Sequence, residues 1–170
     1  MANTYEAIAT VTVGSGGAAN IEFTSIPATY TDLKFVISAR AATDESQLEL
    51  QFNNNTSNYS MTRLNSDGST VDSASQTSVS QMQFGRGATS VSTANTFGNS
   101  EVYIPNYTSS NNKSASGDGT NENNATLARR GFYAGLWANS AAITSIKIFF
   151  NGSPNFVQYS TATLYGIKNS

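Results

Sequence analysis

Apolar and polar residues alternate with a period of two along most of the chain. This is the pattern of strands that turn one face to a core and the other to water. It is clearest at Leu33, Phe35 and Ile37, set against Asp32, Lys34 and Ser38, and at Leu48, Leu50 and Phe52, set against Gln47, Glu49 and Gln51. Tyr5, Ala7, Val11 and Val13 share one face of an opening strand, which Gly14-Ser15-Gly16-Gly17 turns. Ile21 and Phe23 form a short run that ends before Pro27, since proline cannot donate to a ladder. Tyr59 to Leu64, Gln81 to Phe84, Glu101 to Ile104, Phe132 to Trp137, Ile146 to Phe150 and Thr161 to Ile167 supply the other strands. Asn65-Ser66-Asp67-Gly68 reads as a turn and Asn151-Gly152 as a hairpin signal. Val71 to Ser80 has few apolar anchors and is compatible with strand, loop or short helix. Ser109 to Asn124 is polar apart from Ala115 and reads as a long loop, a feature that in compact domains is usually functional or mobile.

Strands of this number and spacing, with no amphipathic helix between them, predict an all-β fold. The expected architecture is a two-sheet antiparallel sandwich, jelly-roll-like, with about eight to ten short strands in a single domain over residues 1–170. No internal repeat points to a propeller or β-helix. Leu33, Phe35, Ile37, Leu48, Leu50, Phe52, Ile146 and Ile148 are the expected core.

Composition narrows the chemistry. The 170 residues are 38% hydrophobic and only 12% charged, and Ser, Thr and Asn make up the difference. A net charge of -2 gives no overall attraction to nucleic acid or anionic lipid, so neither is an expected partner. Cysteine and histidine are both absent. Their absence removes disulfides, the Ser-His-Asp triad, the commonest zinc ligands and the usual pH sensor. The first residues lack a basic stretch and an apolar core, and no apolar run approaches the ~18 residues of a membrane span. Folding in a cytoplasm is expected, and Asn58-Tyr59-Ser60 and Asn106-Tyr107-Thr108 are then chance triplets, not glycosylation sites.

Few constellations are left. The 11 acidic residues are scattered, with no sign of a paired acid and base. Asp118-Gly119-Thr120-Asn121-Glu122-Asn123-Asn124 offers oxygen ligands for calcium but lacks the spacing and distal glutamate of a calcium loop, so a solvated loop is the expectation. Trp137, Tyr133, Tyr103 and Tyr107 are candidates for a platform that stacks on sugar rings, although aromatic residues of sandwiches mostly belong to core or rim. Arg129-Arg130 places two guanidiniums on opposite faces of a strand, where an ordinary solvated pair is the first expectation and pairing of one with a carboxylate of another subunit the alternative. No catalytic residue, metal ligand or cofactor site is expected, and hence no enzymatic activity.

Several strings resemble the small β-sandwich structural proteins of tailed bacteriophages, particularly cyanophages. They are Tyr30-Thr31-Asp32-Leu33-Lys34-Phe35-Val36-Ile37-Ser38-Ala39-Arg40, Phe52-Asn53 followed by Asn58-Tyr59-Ser60, Val102-Tyr103-Ile104-Pro105-Asn106-Tyr107, and Gln158-Tyr159-Ser160-Thr161-Ala162-Thr163-Leu164-Tyr165-Gly166-Ile167. The resemblance implies a role in the virion: a capsid cement or decoration protein, folded in the host cytoplasm and placed on the capsid surface. Its implied partners are the major capsid protein and further copies of itself, as a homotrimer. A carbohydrate- or receptor-binding module of a tail fibre or tailspike is the alternative. Arg129, Arg130, Asn111, Asn112 and Lys113, on and beside the polar stretch, are the candidate partner contacts. Because no metal-ligand set is legible, adding a chelator should leave the melting temperature unchanged to within a few degrees.

Overall fold

A computed structural model of the chain describes residues 4–124 and 128–168. Among them the chain forms β1 (Tyr5–Thr12), β2 (Ile21–Phe23), β3 (Asp32–Ala39), β4 (Gln47–Phe52), β5 (Tyr59–Ser66), β6 (Val71–Val79), β7 (Met82–Arg86), β8 (Gly98–Ile104), β9 (Lys113–Thr120), β10 (Arg130–Trp137), β11 (Ile146–Phe150) and β12 (Thr161–Ile167). One sheet has eight strands in the order β1-β12-β3-β8-β9-β10-β5-β6, and the other has four in the order β2-β11-β4-β7. Every strand pairing is antiparallel.

Set β5, β6, β9 and β10 aside, and the other strands pair as β1-β12-β3-β8 and β2-β11-β4-β7. The chain crosses between the sheets as it runs, and this order is that of a jelly roll. The excursions β5–β6 and β9–β10 both join the first sheet beyond β8 and double its width. Asn151-Gly152 therefore does not close a hairpin. It leads the chain away from β11 towards β12, which lies in the other sheet between β1 and β3.

The expected core is observed. Leu33, Phe35, Ile37, Leu48, Leu50, Phe52, Ile146 and Ile148 are all buried between the sheets. Phe35 meets Phe84 edge to face at 5.1 Å. Phe52, Tyr59 and Trp137 form a second aromatic group, in which the Tyr59 hydroxyl accepts a hydrogen bond from the Phe52 N–H at 2.8 Å.

The strands exceed the expected eight to ten, and the difference lies in the polar segments. Val71–Val79 is a strand, the outer edge of the large sheet. Asn65 and Ser66 belong to β5, and the turn proper runs through Asp67. The Asp67 carboxylate accepts the N–H groups of Ser69 and Thr70, which hold its pKa well below the usual carboxylate range. Half of the stretch expected to be a loop, Ser109 to Asn124, is β9, paired with β8 and β10 in the middle of the large sheet. In β1 a register shift between Ala7 and Ala9 leaves Tyr5 and Ala7 exposed and turns Ile8 onto the core instead.

Strand β9 escapes the hydrophobic rule because its inner face meets backbone, not side chains. The inward positions after Lys113 are Ala115, Gly117 and Gly119. A Cβ on Gly117 would sit 3.0 Å from the Phe84 carbonyl oxygen, and one on Gly119 would sit 3.0 Å from the Arg86 nitrogen. Gly98 of β8 is as close to Arg86, and Gly135 of β10 abuts the Met82 side chain. Strand β7 thus lies against β8, β9 and β10 nearer than the ~10 Å usual for packed sheets.

Polar side chains tie the β5–β6 excursion to the small sheet. Arg63 donates to Gln83 at 2.7 Å and to Gln47 at 3.4 Å, and its Nε lies 3.8 Å from Asp72. The Tyr133 hydroxyl donates to Asn65 at 3.1 Å.

Two substitutions test this packing by denaturant unfolding. Phe35→Ala should lower stability by about 3–5 kcal/mol, as expected for emptying a core aromatic site. Gly117→Val should cost about 1–3 kcal/mol, because a backbone carbonyl cannot rotate aside as a side chain can.

Candidate interaction surface

The outward face of the large sheet spans eight strands, and its registers place side chains in rows. One row reads Thr10, Thr163, Val36, Glu101, Asp118, Phe132, Leu64 and Ser73 from edge to edge. The jelly-roll half is polar. Thr10 and Thr163 share a hydrogen bond at 3.0 Å, Thr161 donates to Thr12 at 3.2 Å, and Lys34 pairs with Glu101 at 2.8 Å. That pairing raises the Lys34 pKa, chiefly through its hydrogen bond to Glu101. A shallow depression of about 440 Å³ lies over this half, between Ser38, Asn99, Glu101 and Thr163.

The other half carries exposed apolar side chains among serines and threonines. Phe132 and Leu64 stand directly opposite each other on β10 and β5, and are 52% and 47% exposed. Leu136 and Val71 extend the patch along β10 and onto β6. The Arg130 guanidinium lies over the Phe132 ring at 5.3 Å from its centroid, a cation–π contact that leaves the charge at the rim of the patch.

The candidate contact residues fall into two separate groups. Arg130 is exposed on the outward face, and Arg129, partly buried, is held by its backbone to Asn121. Asn111 and Asn112 are exposed in the turn between β8 and β9. Because Arg130 pairs with Thr120, the two groups lie at opposite ends of β9, roughly 25 Å apart at the usual rise per residue. Lys113 is fully buried, and its ammonium donates to the carbonyls of Ser109 and Asn111 at 2.7 and 2.5 Å. Burial also pulls its pKa down. It closes its own turn and presents nothing to a partner.

The four aromatic candidates do not assemble a platform. Trp137, Tyr133 and Tyr107 are buried, and only Tyr103 reaches the surface, where its hydroxyl donates to Asp32 at 2.8 Å. Asp118 lies on the outward face of β9, Asn121 and Asn123 turn inward, and Glu122 accepts the Asn124 N–H at 2.8 Å.

Phe132, Leu64, Leu136 and Val71 were not among the expected contact residues. Strand β10 is apolar on both faces, and its alternation does not say which face is covered. No protein-family model matches the chain, and no curated protein matches it either. The reading of its function therefore rests on this geometry and on the sequence resemblance.

On the small sheet, Glu49 faces outward in a dip beside Gln81, whose amide donates to it at 3.2 Å. Burial pushes its pKa up to about 7 from a usual 4.5, Gln81 partly opposes this, and Glu45 adds to it. A raised folded pKa in an acid favours folding at low pH, and the contribution is lost as pH climbs through the folded value. Glu49→Gln should therefore leave the melting temperature unchanged at about pH 4 and raise it at about pH 8, as read by thermal unfolding across that range.

Proposed function

We propose that this chain is a non-catalytic virion structural protein, a cement protein that docks on a bacteriophage capsid through the outward face of its large sheet. One observation carries the docking role: Phe132 and Leu64, directly opposite each other, stand about half exposed on a regular sheet with Arg130 over the Phe132 ring, and Val71 and Leu136 are further exposed apolar side chains on the same face. Exposed apolar patches with polar rims mark interaction sites. The capsid as the partner comes from the sequence resemblance.

The mechanism needs no chemistry. A protein that binds only the assembled shell stabilises it by its own binding free energy. The sheet scaffold holds the patch rigid, so little side-chain ordering opposes association. Phe132 would supply the buried anchor, and Arg130 would pair with a carboxylate of the major capsid protein at the rim. The residues first considered for sugar binding give that alternative no support, since most are in the core.

Particles lacking the protein should lose their genome at lower temperature or milder osmotic shock than complete particles, and adding the purified protein back should restore resistance. A Leu64→Ser, Phe132→Ser double variant should fold normally, because both side chains are exposed, yet bind bare particles about 10- to 100-fold more weakly. Bare particles as robust as complete ones, with only host adsorption lost, would overturn the cement role and favour a fibre or tailspike module.

A further inference from the structure

The two sheets present the edges β1, β6, β2 and β7, and three of them are protected. Strand β2 has only 3 residues. All 5 residues of β7 are buried. Strand β1 carries a register shift, and its Glu6 is held by Lys168 at 2.9 Å. Strand β6 is the least defended of the four. It is 9 residues long and mostly exposed, with no proline or lysine and only Asp72 as a charge. Its register with β5 is regular from Val71 to Thr77 and shifts only beyond it, near Ser78. Natural sheets that leave such an edge open risk pairing with any strand they meet, so an undefended edge calls for a specific occupant.

We propose that the occupant is β6 of a second copy, paired antiparallel about a two-fold axis at Ala74. The segment is self-complementary in that register. Asp72 faces the partner's Gln76, whose amide can donate to the carboxylate, and the two Asp72 side chains lie at opposite ends of the ladder. Ser73 faces the partner's Ser75, and Val71 faces the partner's Thr77. Serine and threonine placed directly opposite one another favour antiparallel pairing, and a register that set the two Asp72 carboxylates face to face would be penalised. Because residues directly opposite share a face, the two outward faces become one continuous surface. The patches around Leu64 and Phe132 then flank the axis on the same side. The interface is isologous and closes at two copies, where the sequence resemblance implied three. It is independent of the docking role: the pair forms whether or not the outward face meets a capsid.

The test uses the purified full chain at micromolar concentrations. Sedimentation should give twice the 18.0 kDa chain mass. Ser75→Lys brings two lysines diagonally across the axis and should give a folded chain of the single-chain mass, whose melting temperature no longer depends on protein concentration. Ser73→Lys, whose two copies also lie diagonally across the axis, is the second variant, should the first fold poorly. Because the chain has no native cysteine, Ala74→Cys reports the axis directly, and mild oxidation should cross-link it into a covalent pair. A monomeric wild-type chain would overturn the proposal, as would a trimer, or a dimer that survives both lysine variants and leaves Ala74→Cys uncross-linked.

Discussion

The arrangement depends on one close contact: the backbone of β7 against the glycine faces of β8, β9 and β10. Side chains at Gly98, Gly117, Gly119 and Gly135 would hold the sheets apart at this point. Without them β7 settles close beneath three strands of the large sheet, and Phe84 reaches Phe35 on the far side of β8. The jelly-roll half has conventional side-chain packing, while the added half combines the Phe52, Tyr59 and Trp137 aromatic group with van der Waals fit to backbone and polar ties such as Arg63 to Gln83. Dispersion forces fall steeply with distance, so that fit tolerates little change.

A four-stranded sheet cannot cover an eight-stranded one, and this mismatch leaves β6 exposed on both faces. Cover ends around β5. Strand β6 is exposed along most of its length, and the outward faces of β10 and β5 keep Phe132, Leu64 and Leu136 in water. Each of these features lies on an excursion inserted into the jelly roll. The scaffold supplies rigidity and the insertions supply contact.

Less of the contact surface than of the core was legible. Arg130 was a candidate from its place beside Arg129, and the structure puts it on the outward face next to Phe132. Lys113 looked equally available, but a lysine at a turn can bend back onto nearby carbonyls, and nothing in the local sequence separates that from a free ammonium. Phe132 and Leu64 carried the period-two signal of core residues. On β10 the inward set is Gly131, Tyr133, Gly135 and Trp137, so both faces have large apolar groups and neither is marked as wet.

What the sequence determined by itself was whatever depends on the local period. Leu33, Phe35, Ile37, Leu48, Leu50 and Phe52 each alternate with polar neighbours, and a chain so patterned can bury them only as strands with one covered face. Tertiary structure decided where a strand's partner, not its own residues, sets the requirement. Strand β9 carries glycine and alanine inward because β7 comes too close for anything larger, and a polar, glycine-rich string is then indistinguishable from a loop. The outward placing of Phe132 likewise follows from which face of β10 the smaller sheet covers. Both are fixed by contacts between segments distant in the chain, and no local period encodes them.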